Sequence, residues 1–211
     1  MQLAHLRQRY SAQLAGFVVV AFTMIEMFVI PKSFFVLGSI VSTSSMACVA
    51  FLLLAGKPEA KLRFVPRNLA FGIVTALVLY GIFLVGNLAI RNYAPAGIST
   101  SSEQGIYSLF ENTPSALLVV VLALDAIGFE SYFRANLQSL FAGRLGLGSV
   151  FLVAIIDATI HLSTFNPLFP VTVIISDSVW GLNYYFTRDL SSNILSHFLW
   201  DLMIFVLFPI H

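Results

Sequence analysis

Three pairs of ionisable residues stand inside stretches that are otherwise apolar. Glu130 and Arg134 are four residues apart, as are Asp157 and His161, and His197 and Asp201. On a helix this spacing puts both members of a pair on one face, where they can touch. Each pair falls in its own apolar stretch, so three helices can bring all six residues together. A carboxylate beside an imidazole can act as a general base on water. Two histidines with carboxylates can also bind a divalent metal. The structural alternative is a set of interhelical hydrogen bonds that lock a bundle. A charge at the centre of a bilayer costs on the order of 3 kcal/mol or more, so such groups face the protein interior and mark function. Three pairs together favour a site over a set of locks.

Other groups carry less weight. Asp125 shares a face with Phe129 and is a further carboxylate donor. Asp177, flanked by Ser176 and Ser178, is placed to line a polar cavity. Glu26 stands alone in the first apolar stretch and is read as pairing across helices. His5 and His211 are expected in solvent, and Cys48 as a core thiol. No nucleophile elbow, phosphate-binding loop or H-E-x-x-H motif occurs.

The elements that must hold these residues follow from composition. Of 211 residues, 58% are hydrophobic and 10% are charged. A soluble domain carries about 25% charged residues. Mean hydropathy is +0.90. A formal net charge of +1 gives no argument for nucleic acid, and one cysteine excludes a disulfide scaffold. The chain reads as an all-α, polytopic integral membrane helical bundle of about seven helices, six to eight by length. The expected spans are Leu14–Ile30, Phe34–Ala55, Leu69–Ile90, Ala116–Phe141, Ser149–Phe165, Phe169–Phe186 and Leu190–Ile210. The polar start, MQLAHLRQRYSAQ, reads as a short interfacial segment leading into an uncleaved span.

If the N-terminus is cytoplasmic, Arg7, Arg9, Lys57, Lys61, Arg63, Arg67, Arg144 and Arg188 gather on the cytoplasmic side and Lys32 and Arg91 on the other. The excess of basic residues fits that orientation and puts the 91–115 loop outside. That loop reads as plain and solvated, with IYSLF as a short interfacial turn. Residues 1–115 are taken as scaffold spans and outer loop, and 116–211 as the catalytic core, within one membrane domain.

The stretch FESYFRANLQ, Phe129–Gln138, resembles the first motif of the CPBP family, the CAAX proteases and bacteriocin-processing enzymes, commonly EExxFRGxLQ. Glu130, Phe133, Arg134, Leu137 and Gln138 match it. DATIH places His161 at the histidine of the second motif, F-x-x-x-H, with Asp157 where Phe is usual. SHFLWDL gives His197 and Asp201 for the third, H-x-x-x-N or H-x-x-x-D. The resemblance covers roughly residues 116–205. One position departs from the pattern. The first Glu of the family's pair, held to activate the water, is Phe129 here. Glu130 with a small helix rotation, Asp157, or Asp125 can supply the missing carboxylate; otherwise the chain is catalytically silent.

The resemblance implies an intramembrane endopeptidase of the glutamic type, cutting near the C-terminal or membrane-embedded segment of a membrane-associated protein or peptide. It implies catalytic roles for Glu130, His161, His197 and Asp201, with Arg134 and Asp157 in support. Glu130 and His161 are assigned to the water, and His197 with Asp201 to the oxyanion. No metal is expected; were zinc present, Glu130, His161 and His197 are its expected ligands. The expected setting is a prokaryotic cytoplasmic membrane, with lipid as the other partner. The rival readings are a non-catalytic scaffold or immunity-type protein of the same fold, and a proton-coupled transporter.

Overall fold

In hydrocarbon no water is present to satisfy backbone N–H and C=O groups, so the apolar stretches are committed to helix. The computed structural model describes residues 2–54, 62–93, 104–111 and 113–210, with backbone only for residues 2–10. The helices are α1 (Gln2–Val29), α2 (Phe35–Leu54), α3 (Pro66–Tyr93), α4 (Ser115–Leu145), α5 (Gly148–His161), α6 (Leu168–Thr187) and α7 (Leu190–Leu202). A π-helical turn, Met203–Leu207, continues α7. No strand occurs among the described residues. Proline marks three helix starts: Pro66 opens α3, Pro114 precedes α4 and Pro167 precedes α6. Its fixed φ and missing N–H cost nothing at a first turn.

The protein is an all-α polytopic membrane bundle. Five helices, α1 to α4 and α7 with its π turn, are long and apolar enough to cross a membrane. The fifth helix, α5, is a shorter apolar helix, and α6, carrying Asp177 and Asn183, is not among the five. These two pack chiefly against each other.

Only 22%, 28% and 22% of the apolar windows of α1, α2 and α3 are buried within the protein, against 50% in α4 and α7. Large side chains of the outer helices, such as Phe22, Phe51 and Val85, face outward. The core forms around α4 and α7, and it is apolar where Met24, Met46, Phe129 and Phe133 meet. Two glycines allow close helix crossings. A Cβ on Gly128 would lie 2.5 Å from the Thr43 carbonyl of α2, and one on Gly72 would lie 2.5 Å from the Ser192 carbonyl of α7.

Three expectations need correction. Cys48 is exposed on α2 rather than in the core. The polar N-terminal segment is not a separate element, since α1 runs unbroken from Gln2. Gln13 is in fact buried and exchanges hydrogen bonds of 3.1 and 3.2 Å with Asn136 of α4. The outer loop is not plainly solvated. Its residues 104–107 are helical, and the following turn packs on the bundle. Phe110 sits 5.3 Å from the Phe35 ring and 4.8 Å from that of Phe205. The Tyr107 hydroxyl accepts from Ile210 N at 2.9 Å, and Lys32 Nζ donates to Ser108 Oγ at 2.7 Å. Residues 94–103 of that loop lie outside the described residues.

Candidate active site

The first motif lies on a π-helical segment of α4, Glu130–Gln138, in which eight of nine residues are buried. Such segments are rare and appear often at functional sites. Here the segment turns Glu130 and Arg134 into the bundle centre, both with no solvent exposure. Arg134 Nε lies 3.4 Å from Glu130 Oε2, so the expected pair forms. The same guanidinium donates through Nη2 to Asp177 Oδ1 of α6. One buried cation thus balances two buried carboxylates, which otherwise carry a large desolvation cost.

The third motif meets the first directly. His197 Nδ1 is 2.8 Å from Glu130 Oε1, and Asn193 Nδ2 donates to Glu130 Oε2 at 2.8 Å. Asn193 Nδ2 also donates to the Trp180 carbonyl at 2.8 Å. With Asn193 donating to it and Arg134 ion-paired beside it, Glu130 is an ionised acceptor, so Nδ1 of His197 carries the proton. The other ring nitrogen, Nε2, lies 3.5 Å from Asp201 Oδ2. The indole of Trp180 stacks on the His197 ring at 3.8 Å between centroids. The start of α7 is pinned by Asp189, whose carboxylate accepts from Ser191 N, Ser191 Oγ and Asn68 Nδ2. That N-cap ties α7 to α3 and fixes the height of His197.

The second motif forms its own pair. His161 Nδ1 lies 3.0 Å from its Asp157 backbone carbonyl and 3.3 Å from Asp157 Oδ1. A carbonyl only accepts, so Nδ1 carries the proton here too, which leaves Nε2 as the working nitrogen. Neither carboxylate oxygen of Asp157 makes a hydrogen bond among the described residues, although the side chain is buried. His161 is the group beside it that can balance its charge. The His161 ring lies 5.2 Å from those of both Phe28 and Phe169.

These groups surround a cavity of about 290 Å³, apolar over most of its wall. Its polar floor comprises Asp125, Asp157, His161, Asp177, His197 and Asp201. Phe28, Phe83, Phe110 and Phe169 contribute to the apolar wall. A mostly apolar pocket with a few convergent polar groups is the usual form of a ligand site. Phe129 faces the cavity, whereas Glu130 does not line it and stands behind His197. Adjacent helical residues point in different directions, and the exchange of faces follows from that. Glu26 is exposed on α1, away from the floor. His5 and His211 lie outside the described side chains.

Of the residues expected to bind zinc, Glu130 and His197 touch each other, but His161 does not join a ligand cluster with them. Among the described residues, the group whose ligand atoms fall within 4.8 Å of one another is Asp125, His197 and Asp201. Its one imidazole and two carboxylates fit a divalent ion by type, and a zinc ion there would supply an acidified water.

Sequence reading missed the roles of Asn193, Trp180 and Asp189. Asn193 was within reach, because it stands one turn before His197 and shares its face. The stacking of Trp180 on His197 crosses from α6 to α7 and leaves no local signal.

Among curated proteins and solved structures, none matches the chain. Residues 111–203, which hold α4 to α7 and all six residues of the polar floor, match a family model. That model describes the Rce1-like type II CAAX prenyl endopeptidases, in agreement with the resemblance carried by the three motifs.

Proposed function

We propose that this protein is an intramembrane endopeptidase that hydrolyses a peptide bond near the C-terminal or membrane-embedded segment of a membrane-associated protein or peptide. The observation that carries the reading is the convergence of the three motifs on one cavity. Peptide hydrolysis in a bilayer needs water held in a polar pocket, an acceptor for its proton, and donors for the oxyanion. The floor supplies two imidazoles, each fixed at Nδ1, and several carboxylates. The apolar wall suits a substrate segment that is itself in lipid. His161 and His197 flank the scissile bond, one on the side of the water and the other on the side of the carbonyl oxygen. Asp201 faces the water or the oxyanion beside His197. Asp157 holds His161. Glu130 and Arg134, enclosed behind His197, are positioning residues.

The reading requires no metal. It places residues 116–211 as the catalytic core and 1–115 as scaffold, in a prokaryotic cytoplasmic membrane with the N-terminus on the cytoplasmic side, as the Lys/Arg bias supports.

The test compares C-terminal peptides of membrane and secreted proteins from host cells that carry the wild type, His161→Ala or His197→Ala. Processed C-termini that appear only with the wild type are expected. Identical peptide sets, with all three proteins present in the membrane, would refute the activity and favour a non-catalytic protein of this fold.

A further inference from the structure

Deepening the endopeptidase reading and resting on it, we infer that Asp125 is the carboxylate that holds and deprotonates the attacking water. The water then lies on the His197 side of the cavity, and His161 serves the carbonyl oxygen. This reverses the division of labour expected from sequence, and three observations lead to it.

First, the carboxylate that the first motif retains is in the wrong place to meet water. Glu130 has no exposure, does not line the cavity, and its oxygens are engaged by His197, Asn193 and Arg134. Second, Phe129 faces the cavity and has no group to offer, but Asp125 stands one turn earlier on the same face. Asp125 is partly exposed, lines the cavity, and makes no hydrogen bond to another described residue. Third, an Asp125 oxygen, one nitrogen of His197 and an Asp201 oxygen all lie within 4.8 Å of one another. With Nδ1 of His197 donating to Glu130, the nitrogen that faces Asp201 is Nε2. A water molecule held among them donates one hydrogen to Asp125 and the other to Asp201 or to Nε2 of His197.

The Asp125 carboxylate takes one proton from the water, and the water oxygen bonds to the carbonyl carbon. The π electrons move to the carbonyl oxygen, which His161, held as the imidazolium by its ion pair with Asp157, stabilises by donating from Nε2–H. Collapse of the tetrahedral intermediate re-forms the carbonyl and breaks the C–N bond. The proton held by Asp125 passes to the leaving nitrogen. One water is consumed, a carboxyl and an amine are released, and Asp125 returns to its starting state.

The experiment measures the wild-type-specific C-terminal peptides in isolated membranes of cells that carry Asp125→Asn, Asp125→Glu, Glu130→Gln, or Asp125→Asn with Phe129→Glu. Loss of a general base costs about 10²- to 10⁴-fold. Asp125→Asn, which preserves shape, is expected to lower the yield at least 100-fold, and Asp125→Glu to retain a measurable fraction. Glu130→Gln is expected to lose much less than Asp125→Asn. Adding Phe129→Glu puts a carboxylate on the same face one turn later and is expected to restore part of the yield lost in Asp125→Asn. A merely structural role for Asp125 would give no such rescue. If Asp125→Asn does not accumulate in the membrane, the Asp125→Glu and double variants decide the matter. Wild-type cleavage that persists in Asp125→Asn, or is lost in Glu130→Gln alone, would overturn the assignment and leave the peptidase standing. Absence of any wild-type-specific peptide would overturn both.

Discussion

His197 of α7 and Glu130 of α4 share a contact of 2.8 Å between Nδ1 and Oε1 that decides which face of the imidazole reaches the cavity. The carboxylate does so from behind, without lining the cavity itself. A hydrogen bond to a charged group contributes about 1.5–3 kcal/mol, or roughly 10- to 100-fold in an equilibrium or rate. Glu130→Ala is therefore expected to slow the appearance of new C-termini within that range. Glu130→Gln, which keeps an acceptor oxygen, should fall near the lower end. Cleavage at full rate in Glu130→Ala would show that His197 needs no such anchor.

Arg134 is the counter-charge for both Glu130 and Asp177, and none of the three side chains is solvent-exposed beyond 1%. Removing one partner of a buried ion pair costs about 3–5 kcal/mol, because the other charge is stranded. Arg134→Met is expected to lower thermal stability in detergent by that order. Adding Asp177→Asn should recover part of the loss. An Arg134→Met protein that melts like the wild type would contradict the network.

Gly128 marks the crossing of α4 with α2, and Gly81 of α3 has open space around it. Gly128→Val is expected to destabilise by about 1–3 kcal/mol through overpacking. Gly81→Ala should leave the melting temperature nearly unchanged. Equal melting of both variants would mean that the α2–α4 crossing is not as close as described.

Much of this site is legible in the sequence, and the part that is not has a common cause. The i, i+4 spacing reveals each of the three pairs, because both members lie on one helix and the helix repeat is fixed. Arg134 with Asp177, and Glu130 with His197 and Asn193, join different helices. No local spacing encodes which helix lies beside which. The π-helical turn from Glu130 to Gln138 is equally invisible, since the residues that form it suit an ordinary helix as well. Phe129 was readable as a departure from the motif and Asp125 as sharing its face, but only the structure shows that this face lines the cavity and Glu130 does not. Cys48 was misjudged for a related reason: in a membrane helix an apolar residue suits lipid as well as the core. The 104–111 turn was underestimated because its aromatic residues, Tyr107 and Phe110, find their partners near the C-terminus, far away in sequence.

The hydrolytic reading uses carboxylates and imidazoles alone. Cleavage in membranes washed with a divalent-metal chelator is therefore expected to proceed at an unchanged rate, and purified protein to carry zinc well below one equivalent. Loss of cleavage on chelation, restored by added zinc, would instead assign Asp125, His197 and Asp201 to a metal.

The most direct test of the central claim is hydrolysis in ¹⁸O-labelled water. Membranes that hold the wild type, His161→Ala or His197→Ala would be incubated in labelled water and their new C-terminal peptides weighed by mass spectrometry. The account predicts new C-termini that carry ¹⁸O in the freshly formed carboxyl group with the wild type, and none with either variant. New C-termini that appear equally in all three samples, or none in the wild type, would contradict it.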